Sequence, residues 1–428
     1  MTKVARRFDV LSPPVLFGGI YVLLFGLTVI DAAIVDDPTI YRLRNVFVDF
    51  RGISRSALVY VWVGFALFIL GYYLPIGKAL ASLVPGRRSS ISAGRASLAT
   101  VALFSATFLV LLWYAQRFGL GRGAAFAEDQ PTTDVLFLQV IGEMSLLYYA
   151  LGVWRFMLAR RPGAPRMSRG DALFVWLVMF PLQVAVSVFG GGRFRLLIVI
   201  LIILLAYHYG YRRIRARSIL VGGLVFVALA APGVAYLREL DLGGSPLEKD
   251  SYLVWIWHSV MVRNSSLEGF TVAFENLDSA PQPGEPLWLL FASALPRLFW
   301  SDKPISSWQE EFSTWSGGTP GAGFLPSLPG ELLLRFGHIG GLIGMLVLGI
   351  LWRTAFGIFI GSKDRAFEWG FIYLVLFALG LSTVETGFVI PYGALFRLVM
   401  VGLLTFILVR APGTRAVRVP SIQGQVAG

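Results

Sequence analysis

The chain has 428 residues, of which 56% are hydrophobic and 14% charged, and its mean hydropathy is +0.69. Soluble domains carry roughly 25% charged residues, so the composition excludes an ordinary soluble protein and predicts a single membrane domain over residues 1–428. The absence of cysteine excludes disulfides, thiol catalysis and cysteine-ligated clusters. The net charge of +12 is typical of nucleic-acid binding, but most basic residues lie in short loops between apolar runs, so we expect no nucleic-acid partner.

The predicted fold class is all-α, a polytopic membrane protein with about ten transmembrane helices, or at most about twelve. This follows from apolar runs that reach the roughly 20 residues needed to cross a hydrocarbon core. The predicted spans are residues 14–36, 57–77, 96–116, 135–158, 172–190, 195–211, 218–237, 331–352, 367–387 and 391–409.

The distribution of Lys and Arg orients these spans. Lys3, Arg6 and Arg7 precede the first span, and every second connection after it repeats the basic excess. Because basic loops stay in the cytoplasm, we predict a bacterial inner-membrane protein with cytoplasmic N- and C-termini and a periplasmic functional surface.

One predicted periplasmic connection, residues 238–330, is too long for a passive connector. Its segments 251–276 and 285–300 predict amphipathic or re-entrant helices lying against the membrane surface among membrane lipids. Half of the 12 tryptophans lie in this loop, Trp300 among them. Such rings suit stacking against sugars, and an interfacial aromatic belt is the alternative.

Several ionisable residues fall at the predicted periplasmic face. Arg193 and Arg195 follow three glycines whose backbone can form an anion-binding concavity, although a tight turn with snorkelling arginines explains them too. Glu331, Arg335 and His338, at i, i+4 and i+7, are predicted to share one helical face. Ionisable groups at membrane depth indicate function, whereas a simple ion pair between Glu331 and Arg335 is the structural alternative.

Other candidates are single residues. His258 is suited to general-base catalysis near neutral pH, but a lone histidine also serves as an ordinary hydrogen-bonding group. Glu385 and Arg397 flank residues 387–391 and are expected either to neutralise each other or to leave Arg397 for a ligand. Asp36 and Asp37 suggest a metal, but no second carboxylate pair supports one, so we expect neither a metal nor a cofactor.

Together these residues predict an arginine-rich, carboxylate-poor site for a lipid-linked pyrophosphate sugar. Arginines would stabilise charge on the departing pyrophosphate, and a base would take a proton from the acceptor hydroxyl. The predicted substrate-binding residues are Arg193, Arg195, Arg238, Arg263, Arg297, Lys303, Arg335, Arg397 and Trp300. The base is left open among His258, Glu239, His338 and Glu385.

Three stretches resemble the Wzy-type O-antigen and oligosaccharide repeat-unit polymerases of bacterial envelopes. They are Phe189-Gly-Gly-Gly-Arg193, the proline-arginine to lysine-proline segment 295–304, and the helix entry 330–341 with its Phe-Gly and Gly-Gly pairs. The resemblance covers roughly residues 170–400.

This resemblance implies a GT-C-like membrane glycosyltransferase that polymerises undecaprenyl-pyrophosphate-linked oligosaccharides. It places Arg193, Arg297, Lys303 and Arg335 nearest the pyrophosphate, and it implies a chain-length regulator as a partner.

Three other functions fit the same sequence. The related O-antigen ligases use the same donor and transfer the glycan to lipid A core. A lipid-linked oligosaccharide transporter would use the same arginines, although the one-sided polarity and the lack of an internal repeat disfavour it. The remaining alternative is a structural subunit of an envelope complex.

Overall fold

The structure is a computed structural model that describes residues 9–34, 53–84, 93–118, 132–162, 166–189, 193–225, 266–281, 308–316, 326–361 and 370–387, with positions 402 and 405. Its helices are α1 (Pro13–Tyr21), α2 (Leu27–Ile34), α3 (Arg55–Tyr73), α4 (Pro75–Leu83), α5 (Ala93–Phe118), α6 (Thr132–Ala159), α7 (Arg169–Leu173), α8 (Phe180–Phe189), α9 (Arg193–Gly210), α10 (Ala216–Val225), α11 (Ser266–Glu275), α12 (Trp308–Trp315), α13 (Ser327–Phe359) and α14 (Gly370–Thr386). Wider π-helical turns, Val22–Gly26 and Phe174–Met179, join α1 to α2 and α7 to α8.

The prediction of an α-helical membrane protein is confirmed at this level. Within the described residues, four helices are long and apolar enough to cross a membrane, namely Pro13–Ile30, Arg55–Tyr73, Gly94–Trp113 and Ser327–Phe359. Shorter apolar helices overlap four more predicted spans, at Met144–Ala159, Leu196–Gly210, Ala216–Val225 and Gly370–Glu385. Ten crossings and a GT-C-like arrangement stay predictions.

The closest helix pair is α3 with the second half of α13. A Cβ atom on Gly71 would lie 2.1 Å from the carbonyl oxygen of Leu346, and one on Gly349 would lie 2.1 Å from that of Phe68. Only glycine permits this separation, which is how small residues bring membrane helices into backbone contact. The α3–α13 pair therefore forms a rigid support for the residues at its ends.

α13 is broken at Gly337, whose φ of 69° and ψ of −176° are not helical. In a continuous helix, positions 333 and 341 would lie about 12 Å apart. Instead, the Leu333 Cα atom lies 3.1 Å from the Cβ position of Gly341, and Leu332 side-chain atoms lie 3.2 Å from that of Gly344. Residues 327–336 therefore fold back along residues 338–359 as a helical hairpin.

The hairpin corrects the predicted span 331–352. Its second arm, residues 338–359, is about 33 Å long and can cross a hydrocarbon core by itself. The first arm, residues 327–336, is about 15 Å long and reaches only halfway. The physical reason is the positive φ at Gly337, which reverses the chain direction within one apolar run.

Of the two loop segments predicted to form amphipathic or re-entrant helices, 285–300 lies outside the described residues, and 251–276 is described from residue 266 onwards, where it forms α11. α11 lies inside the helix packing and not on its surface, so the re-entrant alternative stays a prediction for this segment. Residues Ser266–Ala273 of α11 are all buried, because the helix packs between α3 and the first arm of the hairpin. Phe312 of α12 is also fully buried and clusters with Ala273 and Leu334. Part of the long loop therefore lies in the buried core of the helix bundle.

α14 defines two ends of the bundle. At its start, Trp154 packs against both Gly370 and Gly210, and at its finish Gly387 touches Glu331. We call these the basic end and the hairpin end, respectively. The 17 residues of α14 separate them by about 25 Å.

Candidate functional site

The candidate site at the hairpin end is built around an ion pair within the first hairpin arm. The Nε–H group of Arg335 donates to Glu331 Oε1 over 2.9 Å, and the two side chains are 4% and 0% exposed. Burying two charges is costly unless they neutralise each other, so each side chain depends on the other. The ion pair between Glu331 and Arg335 that the spacing predicted is therefore present. Its side chains are more deeply buried than those of an ordinary i, i+4 pair on a helix surface.

Gly387 closes the site from the end of α14. Its φ is +82°, and a Cβ atom there would lie 2.6 Å from Glu331 Oε2. The position therefore requires glycine both for its backbone conformation and for the space occupied by the carboxylate. The ion pair is held between the first hairpin arm and the last turn of α14.

His338 lies just beyond the hairpin break, so the prediction that it shares a helical face with Glu331 and Arg335 is wrong. Its carbonyl oxygen accepts a hydrogen bond of 2.8 Å from the Tyr60 hydroxyl, which ties the hairpin tip to α3. The imidazole is exposed and meets the ring of Phe274 edge-on at 5.1 Å. His338 therefore sits at the hairpin tip, where an incoming molecule can reach it.

Glu268 is a further acidic residue at this end, and sequence reasoning missed it. It lies on α11 with 0% exposure, two residues before Phe270, whose ring contacts the Cβ position of Gly330 at 3.3 Å. Its position in a long loop of the sequence suggests a glutamate in contact with water, but in the structure the side chain is enclosed by packed helices. The apolar stretch around it was the available signal, because it is too apolar for a water-facing loop.

Glu385 lies in the last turn of α14, two residues before Gly387, and is half-buried. Three predicted residues, Arg335, His338 and Glu385, therefore lie on the elements that meet at the hairpin end, as does the unpredicted Glu268. The pairing of Glu385 with Arg397 is untested because Arg397 lies outside the described residues.

The remaining predicted residues divide into two groups. Arg193 and Arg195 begin α9, directly after the glycines, and only their backbone is described. The others lie outside the described residues, as do Asp36 and Asp37, and their roles stay predictions: Arg238, Glu239, His258, Arg263, Arg297, Trp300, Lys303 and Arg397. Within the described part of the chain, no group of three or more His, Cys, Asp or Glu residues could hold a metal ion.

A second polar cluster fixes the N-terminal segment at the basic end. His208 Nδ1 accepts the N–H of Ile214 over 3.0 Å, so its Nε2–H donates to Asp9 Oδ1, also over 3.0 Å. The Tyr209 hydroxyl donates to the Leu11 carbonyl oxygen over 3.0 Å. Burial by itself would raise the pKa of Asp9, but the hydrogen bonds from His208 and from the Leu11 N–H, with the nearby charge of Arg213, outweigh it and lower that pKa.

Comparison with known proteins leaves the family open. No protein-family model, curated protein or solved structure matches the chain significantly. Function is therefore inferred from the chain's own residues and their arrangement.

Proposed function

We propose that the protein is a membrane glycosyltransferase that polymerises undecaprenyl-pyrophosphate-linked oligosaccharide repeat units at the periplasmic face of the inner membrane. The observation that carries the proposal is the buried Glu331–Arg335 pair in a helical hairpin, at the end of the bundle away from the basic loops. The resemblance of residues 189–193, 295–304 and 330–341 to repeat-unit polymerases gives the reaction class.

The hairpin end has the physical properties that this reaction needs. A guanidinium group held by a buried carboxylate keeps a fixed orientation, and its planar donors match the oxygens of a phosphate group. In a site with little water, such a preorganised charge stabilises the pyrophosphate that leaves with the lipid carrier. Arg335 is therefore assigned to the pyrophosphate, and Glu331 positions it.

The reaction joins two lipid-linked glycans. A hydroxyl group of the incoming unit attacks the anomeric carbon of the growing chain, and the bond from that carbon to the pyrophosphate oxygen breaks. The hydroxyl proton passes to a base, and the lipid pyrophosphate departs with the bonding electron pair. Among the described residues, the candidate bases are the exposed His338 at the hairpin tip and the half-buried Glu385.

The testing experiment uses purified full-length protein in nanodiscs with undecaprenyl-pyrophosphate-linked repeat units, and products are separated by length on a gel. We expect a ladder of lengthening products, reduced about 100-fold or more in Arg335→Gln because one preorganised charge donor is lost. Arg335→Lys keeps the charge without the planar donors and is expected to be intermediate. Lys78→Gln, an exposed cation on α4, is the matched charge-removal control and should retain the ladder.

The same assay separates the alternatives. A ladder that survives chelation of divalent cations supports the metal-free reaction, and its loss would direct attention to Asp36 and Asp37. Transfer only when lipid A core is supplied would identify a ligase. Absence of transfer to either acceptor, with all variants folded, would overturn the proposal.

A further inference from the structure

The basic end carries an exposed surface of arginines. They come from two connections, 159–169 and 210–217, which contain no Asp or Glu. The side chains are all exposed, and we call them the basic surface: Arg160, Arg166, Arg169, Arg212, Arg213, Arg215 and Arg217.

The two connections are held against each other by one further arginine. Arg161 donates from Nε to the Gly210 carbonyl oxygen over 2.5 Å, and from Nη2 to that of Tyr209 over 2.8 Å. These bonds satisfy carbonyls at the C-terminal end of α9, which carry the negative end of its dipole. Arg161 thereby fixes the position of the arginines around it.

The two carboxylates described near this surface, Asp171 and Asp9, are engaged with other side chains. Asp171 lies 3.8 Å from Arg155 Nη2 and accepts the Ser97 hydroxyl, while Asp9 is bonded to His208. Within the described residues, the salt bridges all involve side chains outside the basic surface. Arg213 is attracted to Asp9, and the surface as a whole keeps a large positive charge.

An apolar helix continues directly from these arginines. In α10 every residue except Ile219 is exposed, including Leu220 at 67%, Val221 at 58% and Leu224 at 63%. Cβ atoms on Gly222 and Gly223 would meet nothing within 4 Å. Apolar side chains in this environment are suited to acyl chains, next to a row of cationic groups at headgroup depth.

The arginines at the start of α10 do not serve the helix itself. Its first turn carries no acidic residue, and cations there oppose the helix dipole by a few tenths of a kcal/mol. Arg215 and Arg217 therefore gain nothing from the helix dipole, and their exposed guanidinium groups face the surroundings of the helix. Four arginines within six residues beside an apolar helix form the pattern that attracts anionic headgroups.

We propose that the basic surface, with the start of α10, binds anionic phospholipids, with headgroup phosphates on the arginines and acyl chains along Leu220, Val221 and Leu224. This binding is independent of the glycosyltransferase proposal. It requires only that the arginine-rich segment and α10 contact the same lipid molecule.

Native mass spectrometry of the detergent-purified full-length protein, titrated with phosphatidylglycerol or phosphatidylcholine, tests the proposal. We expect a preference for phosphatidylglycerol that weakens about fivefold for each arginine replaced by glutamine among Arg212, Arg213, Arg215 and Arg217. Inorganic phosphate at the same concentration should not displace the lipid, because it lacks the acyl chains.

A single substitution at the basic surface, Arg217→Gln, is compared with a control, Arg55→Gln. Arg55 is also exposed, but it lies at the first residue of α3, at the end of that helix away from the basic surface. Only Arg217→Gln should weaken phosphatidylglycerol binding, and Arg217→Lys should largely restore it. Equal binding in these three variants, equal binding of the two lipids to the wild type, or displacement by phosphate would each overturn the proposal. Because the single changes are on the surface, they keep the test valid if the fourfold variant fails to fold.

Discussion

The two ends of the bundle place their charges in opposite ways. At the hairpin end, the Glu331 and Arg335 side chains are withdrawn from solvent and neutralise each other at 2.9 Å. At the basic end, the arginines of the basic surface are exposed and outnumber the acidic groups around them. A count of charges would select the basic end as the functional one, yet a desolvated guanidinium interacts far more strongly with an anion than a hydrated one does.

The comparison also separates two uses of arginine. Exposed arginines in membrane-flanking loops set orientation and attract headgroups without a fixed geometry. A buried arginine must be held by a partner, and the partner also fixes its direction. The hairpin end therefore has the preorganisation needed for chemistry, whereas the basic end has the charge density needed for a membrane surface.

The largest expected effect comes from breaking the buried pair. Glu331→Gln removes the carboxylate that accepts from Arg335 Nε–H inside the packing and should lower the free energy of unfolding by about 3–5 kcal/mol. Replacing both residues by methionine should recover most of that loss, because the desolvation cost disappears with the charges. Chemical denaturation of each variant in the same detergent measures both values.

The matched control at the basic end is Asp171→Asn. Its pair with Arg155 is longer, at 3.8 Å, and its side chains are 13% and 18% exposed, so we expect a loss of only about 1 kcal/mol. Equal losses in Glu331→Gln and Asp171→Asn would remove the distinction between the two ends.

A smaller effect is expected from filling the space beside the carboxylate. Gly387→Ala combines a positive φ with a Cβ atom 2.6 Å from Glu331 Oε2, and should cost about 2–3 kcal/mol. Thermal unfolding of the purified variants in one detergent provides the measurement.

Two other glycines separate the causes of that loss. Gly337→Ala has no atom within 4 Å, so it reports a backbone cost alone, about 1–3 kcal/mol, because φ 69° with ψ −176° is a conformation that essentially only glycine adopts. Gly222→Ala, in open space on α10, should be neutral or slightly stabilising. If Gly387→Ala costs no more than Gly222→Ala, neither the positive φ nor the carboxylate restricts position 387 as the structure indicates.

The sequence predicted the helices better than the hairpin. Runs of about 20 apolar residues specify a membrane helix almost by themselves, and i, i+4 spacing alone placed Glu331 beside Arg335. The reversal at Gly337 was not predictable, because glycine inside an apolar run is common in membrane helices and its φ depends on what packs around it. Spacing rules then failed for His338, which lies one residue past the break.

Glu268 was missed for a related reason. A single glutamate between apolar residues in a long loop is normally solvated, and only the packing of α11 between α3 and the hairpin buries it. Burial imposed by distant helices leaves little local trace in the sequence. The apolar character of α11 carried part of the information, since eight consecutive buried residues require neighbours on every side.

The smallest expected effect concerns the polar cluster at the basic end and depends on pH. Because the pKa of Asp9 is lowered in the folded protein, its carboxylate stabilises the fold above the unfolded-state pKa of about 3.9. That contribution is lost as pH falls through the folded-state value.

Asp9→Asn should therefore be about 1 kcal/mol less stable than the wild type at pH 7, and the difference should shrink as the pH falls below about 3.9. Denaturation curves of both proteins across this range measure it. A difference that stays constant with pH would mean that Asp9 acts through shape and not charge. In that case the partly exposed Asp9 would hold the N-terminal segment to α9 by an uncharged contact, in contrast to the buried, charged Glu331–Arg335 pair at the hairpin end.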